Sequence, residues 1–141
     1  MMQAVHSLPM MQVRRATYEH VTDAIAWQAK WRPNDPPPPR DIFSSTGWCV
    51  PGLAAWWLYL TDSSLAWTEM LVVNPDAPKA ARRDAMDLVI EHVLVEAKAA
   101  GTRLLVCNVD RPDLEERAIK HGYQVLGRGQ TLLGIVLKEG V

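Results

Sequence analysis

Lys79, Arg82 and Arg83 crowd together just past Asn74-Pro75-Asp76-Ala77-Pro78, where an apolar strand pattern turns into a long helical one. A helix start presents unpaired backbone N–H groups and the positive end of the dipole. Cations placed there oppose the dipole, and an anion at the helix tip, phosphate above all, removes the conflict. The plainer alternative is that all three side chains point into water, at a cost of a few tenths to ~1 kcal/mol each. A second candidate is Glu69, which interrupts the apolar run Ala66-Trp67-Thr68-Glu69-Met70-Leu71-Val72-Val73. A carboxylate with apolar neighbours has a raised pKa and suits a general base; the alternatives are a pairing with arginine or a wet sheet edge. The third signal is tryptophan, present at Trp27, Trp31, Trp48, Trp56, Trp57 and Trp67. Trp56 and Trp57 are adjacent on a strand and face opposite sides of the sheet. Trp31 stands at the base of a proline-rich loop. These three can line a pocket for an apolar or aromatic amine, or simply fill the core. His6, His20, His92 and His121 have no metal-ligand spacing, and no Walker loop or G-x-S-x-G is present.

The elements that position these residues follow from periodicity. Gln12–Thr17 reads as a short strand, and Val21–Trp31 as a helix capped by Thr22 or Asp23. Five prolines in Pro33–Pro39 make a stiff exposed loop. Gly47–Val50, Leu53–Thr61 and Leu65–Val73 form an antiparallel meander turned by Pro51-Gly52 and Asp62-Ser63-Ser64. Their nearly continuous apolar character implies cover on both faces. Pro78–Ala100 is an amphipathic helix with its stripe at Met86, Val89, Ile90, Val93, Leu94 and Ala97, stopped by Gly101. Thr102–Val109 is a strand, and Pro112 opens a further helix ending at His121-Gly122. Tyr123–Leu126 and Gln130–Leu137 read as two closing strands. The order is β–α–loop–β–β–β–α–β–α–β–β. Leu65–Val73, the long helix and Thr102–Val109 form a right-handed βαβ crossover, so an α/β fold with a mixed sheet is expected.

The bulk numbers narrow the function. With 141 residues the chain is expected to form one domain over 12–141, preceded by a mobile extension at 1–11. A net charge of -1 gives no global reason to expect nucleic acid or an anionic membrane. The longest apolar run, Leu53–Leu60, falls far short of the ~20 residues that span a bilayer. Cys49 and Cys107 both lie in expected strands and read as buried thiols of a reducing compartment, with a disulfide not required. A cytoplasmic location is the expectation.

Several motifs, taken in order, resemble the GNAT N-acyltransferase superfamily over about Gln12 to Leu137. Val13-Arg14-Arg15-Ala16-Thr17 resembles the family's opening strand. Leu71-Val72-Val73-Asn74-Pro75 resembles its fourth strand and the V-x-P bend, and Lys120-His121-Gly122-Tyr123 the k-x-G-F that closes its penultimate helix. The resemblance implies that strands four and five splay apart to admit acetyl-CoA, or another acyl-CoA, with no metal. The arm of that co-substrate would pair with Leu71, Val72 and Val73, and its pyrophosphate would sit on Lys79, Ala81, Arg82, Arg83 and Asp84, with Asn108 completing the set. Glu69 would be the base and the Val73 N–H the oxyanion donor.

The family's Q/R-x-x-G-x-G/A loop is replaced by Pro78-Lys79-Ala80-Ala81-Arg82-Arg83, with Ala81 and Arg83 at the glycines. The tyrosine that often protonates the leaving thiolate is Ala118. The implied function is acyl transfer from acyl-CoA to an amine of a small molecule or protein. The alternative is a GNAT-fold binding or assembly module without catalysis, of a kind phage genomes also carry. The resemblance further implies a homodimer.

Overall fold

The computed structural model describes residues Met11–Leu137; the extension expected at 1–11 lies almost wholly outside the described residues. Strand β1 is Arg14–Arg15, helix α1 is Tyr18–Trp31, and a single 3-10 turn at Arg40–Ile42 follows the proline loop. Strands β2 (Gly47–Val50), β3 (Ala54–Leu60) and β4 (Leu65–Val73) precede the long helix α2 (Lys79–Ala99). Strand β5 (Leu104–Val106) and helix α3 (Pro112–Lys120) complete the regular structure. The strands lie side by side in chain order. All pairs are antiparallel except β4 with β5, which is parallel. The expected α/β class with a mixed sheet is thus observed.

Three expectations are corrected. Helix α1 starts at Tyr18 rather than Val21, because Thr17 rather than Thr22 or Asp23 sits at its head, and its N–H donates to His20 Nδ1 at 2.9 Å. Strand β5 is shorter than Thr102–Val109, since its ladder ends at Val106. The two closing strands are absent: Tyr123–Leu137 has no regular structure, and among the described residues the sheet ends at β5. A strand needs a partner for its N–H and C=O groups, and among the described residues no strand is paired with Gln130–Leu137.

The sheet is covered on both faces. Trp48, Val50, Ala54, Trp56 and Leu58 pack with Ala85, Val89, Ile90 and Val93 of α2. Cys49, Ala55, Trp57 and Val72 pack with Val21 and Ala24 of α1. Gly47 is obligatory for that second layer: a Cβ there would lie 2.3 Å from the Trp57 indole. Helix α3 is tied to α2 by Asp87, which accepts from Arg117 Nη1 and bonds His121 Nε2 at 2.8 Å.

Candidate functional site

A gap opens between β4 and β5. Their ladder consists of Leu65↔Leu104, Ala66↔Leu105 and Trp67↔Val106 and goes no further. From Thr68 to Val73 the β5-facing edge of β4 therefore has no strand beside it. A bulge marks the same stretch. Between Ala55↔Val72 and Trp57↔Glu69, β3 contributes Trp56 alone while β4 contributes Met70 and Leu71. Met70 adopts φ 66°, the left-handed conformation that frees one residue from the ladder.

Backbone direction at the end of β4 follows from alternation. The Asn74 N–H donates to Leu53 O at 2.9 Å, toward β3. In an antiparallel ladder the next residue turns its N–H and C=O the other way. Val73 therefore points both groups into the gap, and its carbonyl accepts the Trp31 indole N–H at 2.8 Å. Trp31, expected at a pocket wall, thus stands at the mouth of the gap. Arg82 and Arg111 flank its ring, with guanidinium carbons 5.7 and 5.8 Å from the centroid.

The tip of α2 lies directly after this mouth. The Arg82 N–H bonds Pro78 O at 3.0 Å, so the backbone donors left over are those of Lys79, Ala80 and Ala81. Pro78 has no N–H to add. The N–H groups of Arg82, Arg83 and Asp84 belong to the helix ladder. The three cations also part company. Arg82 folds back and donates to Pro75 O at 3.2 Å and Ala77 O at 2.9 Å, bracing the loop. Lys79 and Arg83 are exposed, and Arg83 does not close the gap with a bond to either strand. Asp84 lies in a separate shallow groove beside Met11, Asp87, Leu88 and Glu91.

The two faces of the gap differ. Glu69 lies opposite Trp57 and so on the α1 face. Its Oε1 is 3.5 Å from Asn108 Nδ2, a long contact across the gap. Burial raises the Glu69 carboxyl above its ordinary range, against the lowering effect of Asn108. On the α2 face a small apolar hollow is lined by Trp56, Leu71, Cys107, Val109, Ala118 and Tyr123. Trp56 is thus at the gap, whereas Trp57 is 1% exposed, packed edge-on to Phe43, and has no free surface for a ligand.

Sequence reasoning missed Thr68 and Tyr123. Both hydroxyls are buried and neither meets hydrogen-bond geometry among the described residues, although Thr68 lies close enough to Tyr123 and Cys107 to lower both against the effect of burial. The signal was a lone hydroxyl beside Glu69 and a tyrosine directly after the helix-ending Gly122. Burial pushes the Tyr123 phenol up to about 12 and the Cys107 thiol up to about 11, so both stay protonated at neutral pH. Cys49 and Cys107 are free thiols. No group of residues that could hold a metal occurs among the described residues, and none of their helices is long and apolar enough to cross a membrane.

No protein-family model matches the chain, and no curated protein matches it either. Solved structures do. A protein described as a "probable acetyltransferase" shares 16% identity over 92% of this chain and 100% of its own, with a TM-score of 0.67. An acetyltransferase of Trypanosoma brucei shares 12% over 89% and 100%, with a TM-score of 0.62. The aminoglycoside antibiotic 6'-N-acetyltransferase of Acinetobacter baumannii shares 14% over 90% and 99%, at 0.57. Identities this low carry the architecture and not the substrate. With the mixed sheet, the bulged β4 and the parted parallel pair, they identify the chain as having the fold of the GNAT acyltransferase superfamily.

Proposed function

We propose that the chain is an acyl-CoA-dependent N-acyltransferase, with acetyl-CoA the simplest donor and a primary amine the acceptor. The observation that carries this reading is the gap, where Val73 aims its N–H and C=O into a space flanked by three unpaired helix N–H groups. An extended amide-bearing arm fits an open strand edge, and a phosphate fits a helix tip. The fit is imperfect at one point, since Ala81 and Arg83 replace residues whose absent side chains would ease close approach.

Each residue has a role in that chemistry. Glu69, made more basic by burial, takes the proton from the incoming ammonium or the attacking amine, and Asn108 orients its carboxylate. The Val73 N–H donates to the carbonyl oxygen as negative charge builds on it. The carbon–sulfur bond then breaks, and the departing thiolate needs a proton. We assign that proton to the Tyr123 hydroxyl, a buried donor in the same hollow as Ala118 with Thr68 beside it. The acceptor approaches from the α1 face, where Trp67, 37% exposed and aligned with Tyr59, favours an amine on an apolar or aromatic body.

A non-catalytic binding or assembly role is the second reading. It is favoured by the Trp31 indole, which already occupies the Val73 carbonyl. Calorimetric titration with acetyl-CoA separates the two. Micromolar binding, followed by release of free thiol in the presence of a panel of amines, is expected. No binding at millimolar acetyl-CoA would overturn the transferase reading and leave the second in place.

A further inference from the structure

The point where β4 and β5 part holds three groups that the fold places together. The last rung joins Trp67 to Val106. Carried one step further, the same register sets Thr68 against Cys107, the first pair beyond the rungs. Thr68 also pairs with Leu58, so its side chain lies on the α2 face, in the layer against which Cys107 and Tyr123 pack. Cys107 and Tyr123 line one hollow there. Thr68 is 1% exposed, and among the described residues no other polar one is buried so fully. Valine fills the same space with no hydroxyl to desolvate, so a threonine here costs free energy unless its O–H has a bonding role. That O–H and the Tyr123 phenol miss bonding geometry as they stand, and bonds of this kind commonly tighten only with the reactants in place.

We propose that Thr68 is the positioning residue for the Tyr123 phenol, the middle of a donor chain that runs from the Cys107 S–H to Thr68 Oγ1, from the Thr68 O–H to Tyr123 Oη, and from the Tyr123 O–H to the departing sulfur. This rests on the transferase reading and on Tyr123 as its proton donor. When the carbon–sulfur bond breaks, Tyr123 gives its proton to the thiolate and is left as a phenolate. Thr68 donates to that charged oxygen, the Cys107 S–H donates to Thr68 behind it, and each bond strengthens the next. Water returns the proton once the thiol has left. Without Thr68 the charge would develop between Trp56, Leu71 and Val109, because Arg117, the charged residue of the hollow, is committed to Asp87. The direction of the chain agrees with the downward effect of Thr68 on both the phenol and the thiol, set against the burial that raises them.

The test is a double-mutant cycle on the full chain, read as thiol release from acetyl-CoA with an amine acceptor. Thr68→Val should lower kcat by about 10- to 100-fold, the contribution of a hydrogen bond to a charged group, with KM for acetyl-CoA unchanged. Thr68→Ser, which keeps the hydroxyl, should recover most of that loss. In Tyr123→Phe the further change Thr68→Val should have no effect, since the group it positions is gone. An undiminished rate in Thr68→Val, or losses that multiply in the double variant, would overturn the proposal. Infrared spectroscopy of the S–H stretch gives a second measurement that needs no turnover. Cys107→Ala identifies the Cys107 band, and Thr68→Val should move that band to higher frequency; a band that stays in place refutes the chain. An unaltered protein that releases no thiol would sink the transferase reading, and the infrared shift would still decide whether the three groups are bonded.

Discussion

The Trp31 indole N–H and an incoming amide arm compete for one acceptor, the Val73 carbonyl. Trp31→Phe removes the donor and keeps an aromatic ring for Arg82 and Arg111, which approach to 5.7 and 5.8 Å. A hydrogen bond to a partly exposed carbonyl contributes a net ~0.5–1.5 kcal/mol. Releasing that competition should tighten acetyl-CoA binding by about 2- to 10-fold. Calorimetry reads the change directly. The same substitution removes one tryptophan from the emission spectrum, so the difference between the two proteins on titration reports whether Trp31 moves when ligand enters. An affinity that falls in Trp31→Phe would show the indole to be part of the binding surface and refute the competition argument. Equal affinities would show that the Val73 carbonyl takes no part in binding.

Four further substitutions have defined outcomes. Glu69→Gln should lower kcat by about 10²- to 10⁴-fold with little change in acetyl-CoA affinity, and the rise of rate with pH through the elevated Glu69 pKa should vanish. Because burial favours the protonated carboxyl, its contribution to stability is fullest at acid pH and lost as pH rises through the raised pKa; Glu69→Gln should therefore melt no lower than the unaltered protein at pH 7. Tyr123→Phe should slow turnover while leaving binding intact, and an undiminished rate would remove it as the proton donor. Gly47→Ala drives a methyl into the Trp57 indole and should cost ~1–3 kcal/mol, seen as a lower Tm in a thermal melt. At Asp87 burial raises the carboxyl, but His121 and Arg117 outweigh it and hold the pKa below the ordinary range. The resulting stability is present above that range and lost as pH falls through the lowered pKa, so Asp87→Asn should flatten the acid limb of a stability–pH curve.

The elements with a strong internal signal were legible. The stripe of Val89, Ile90 and Val93 marked α2, and the hairpin at Asp62-Ser63-Ser64 fixed the pairing of β3 with β4. Glu69 was picked from a strand pattern, Asn108 only as part of the set the resemblance implied, and the structure puts their side chains 3.5 Å apart. What the sequence hid depends on tertiary geometry. Nothing local says that Arg82 folds back on Pro75 and Ala77, because a free guanidinium and a braced one have the same neighbours in sequence. The bulge at Met70 carries no glycine to announce it. Trp57 and Trp56 look equivalent on one strand until the Gly47 notch claims one of them. The closing strands were read around Gly127-Arg128-Gly129, and an apolar run specifies a strand only where another strand is there to receive it.

Only three rungs join β5 to the rest of the sheet. Leu105 and Cys107 are instead seated against the α2 layer, and α2 is in turn bolted to α3 through Asp87. The aperture between β4 and β5 is therefore gauged by how two helices dock rather than by strand pairing. Alterations at Arg117 or His121, side chains absent from the proposed chemistry, act like a change of shim behind a jaw: they reset its width and with it the thickness of what the jaw can grip.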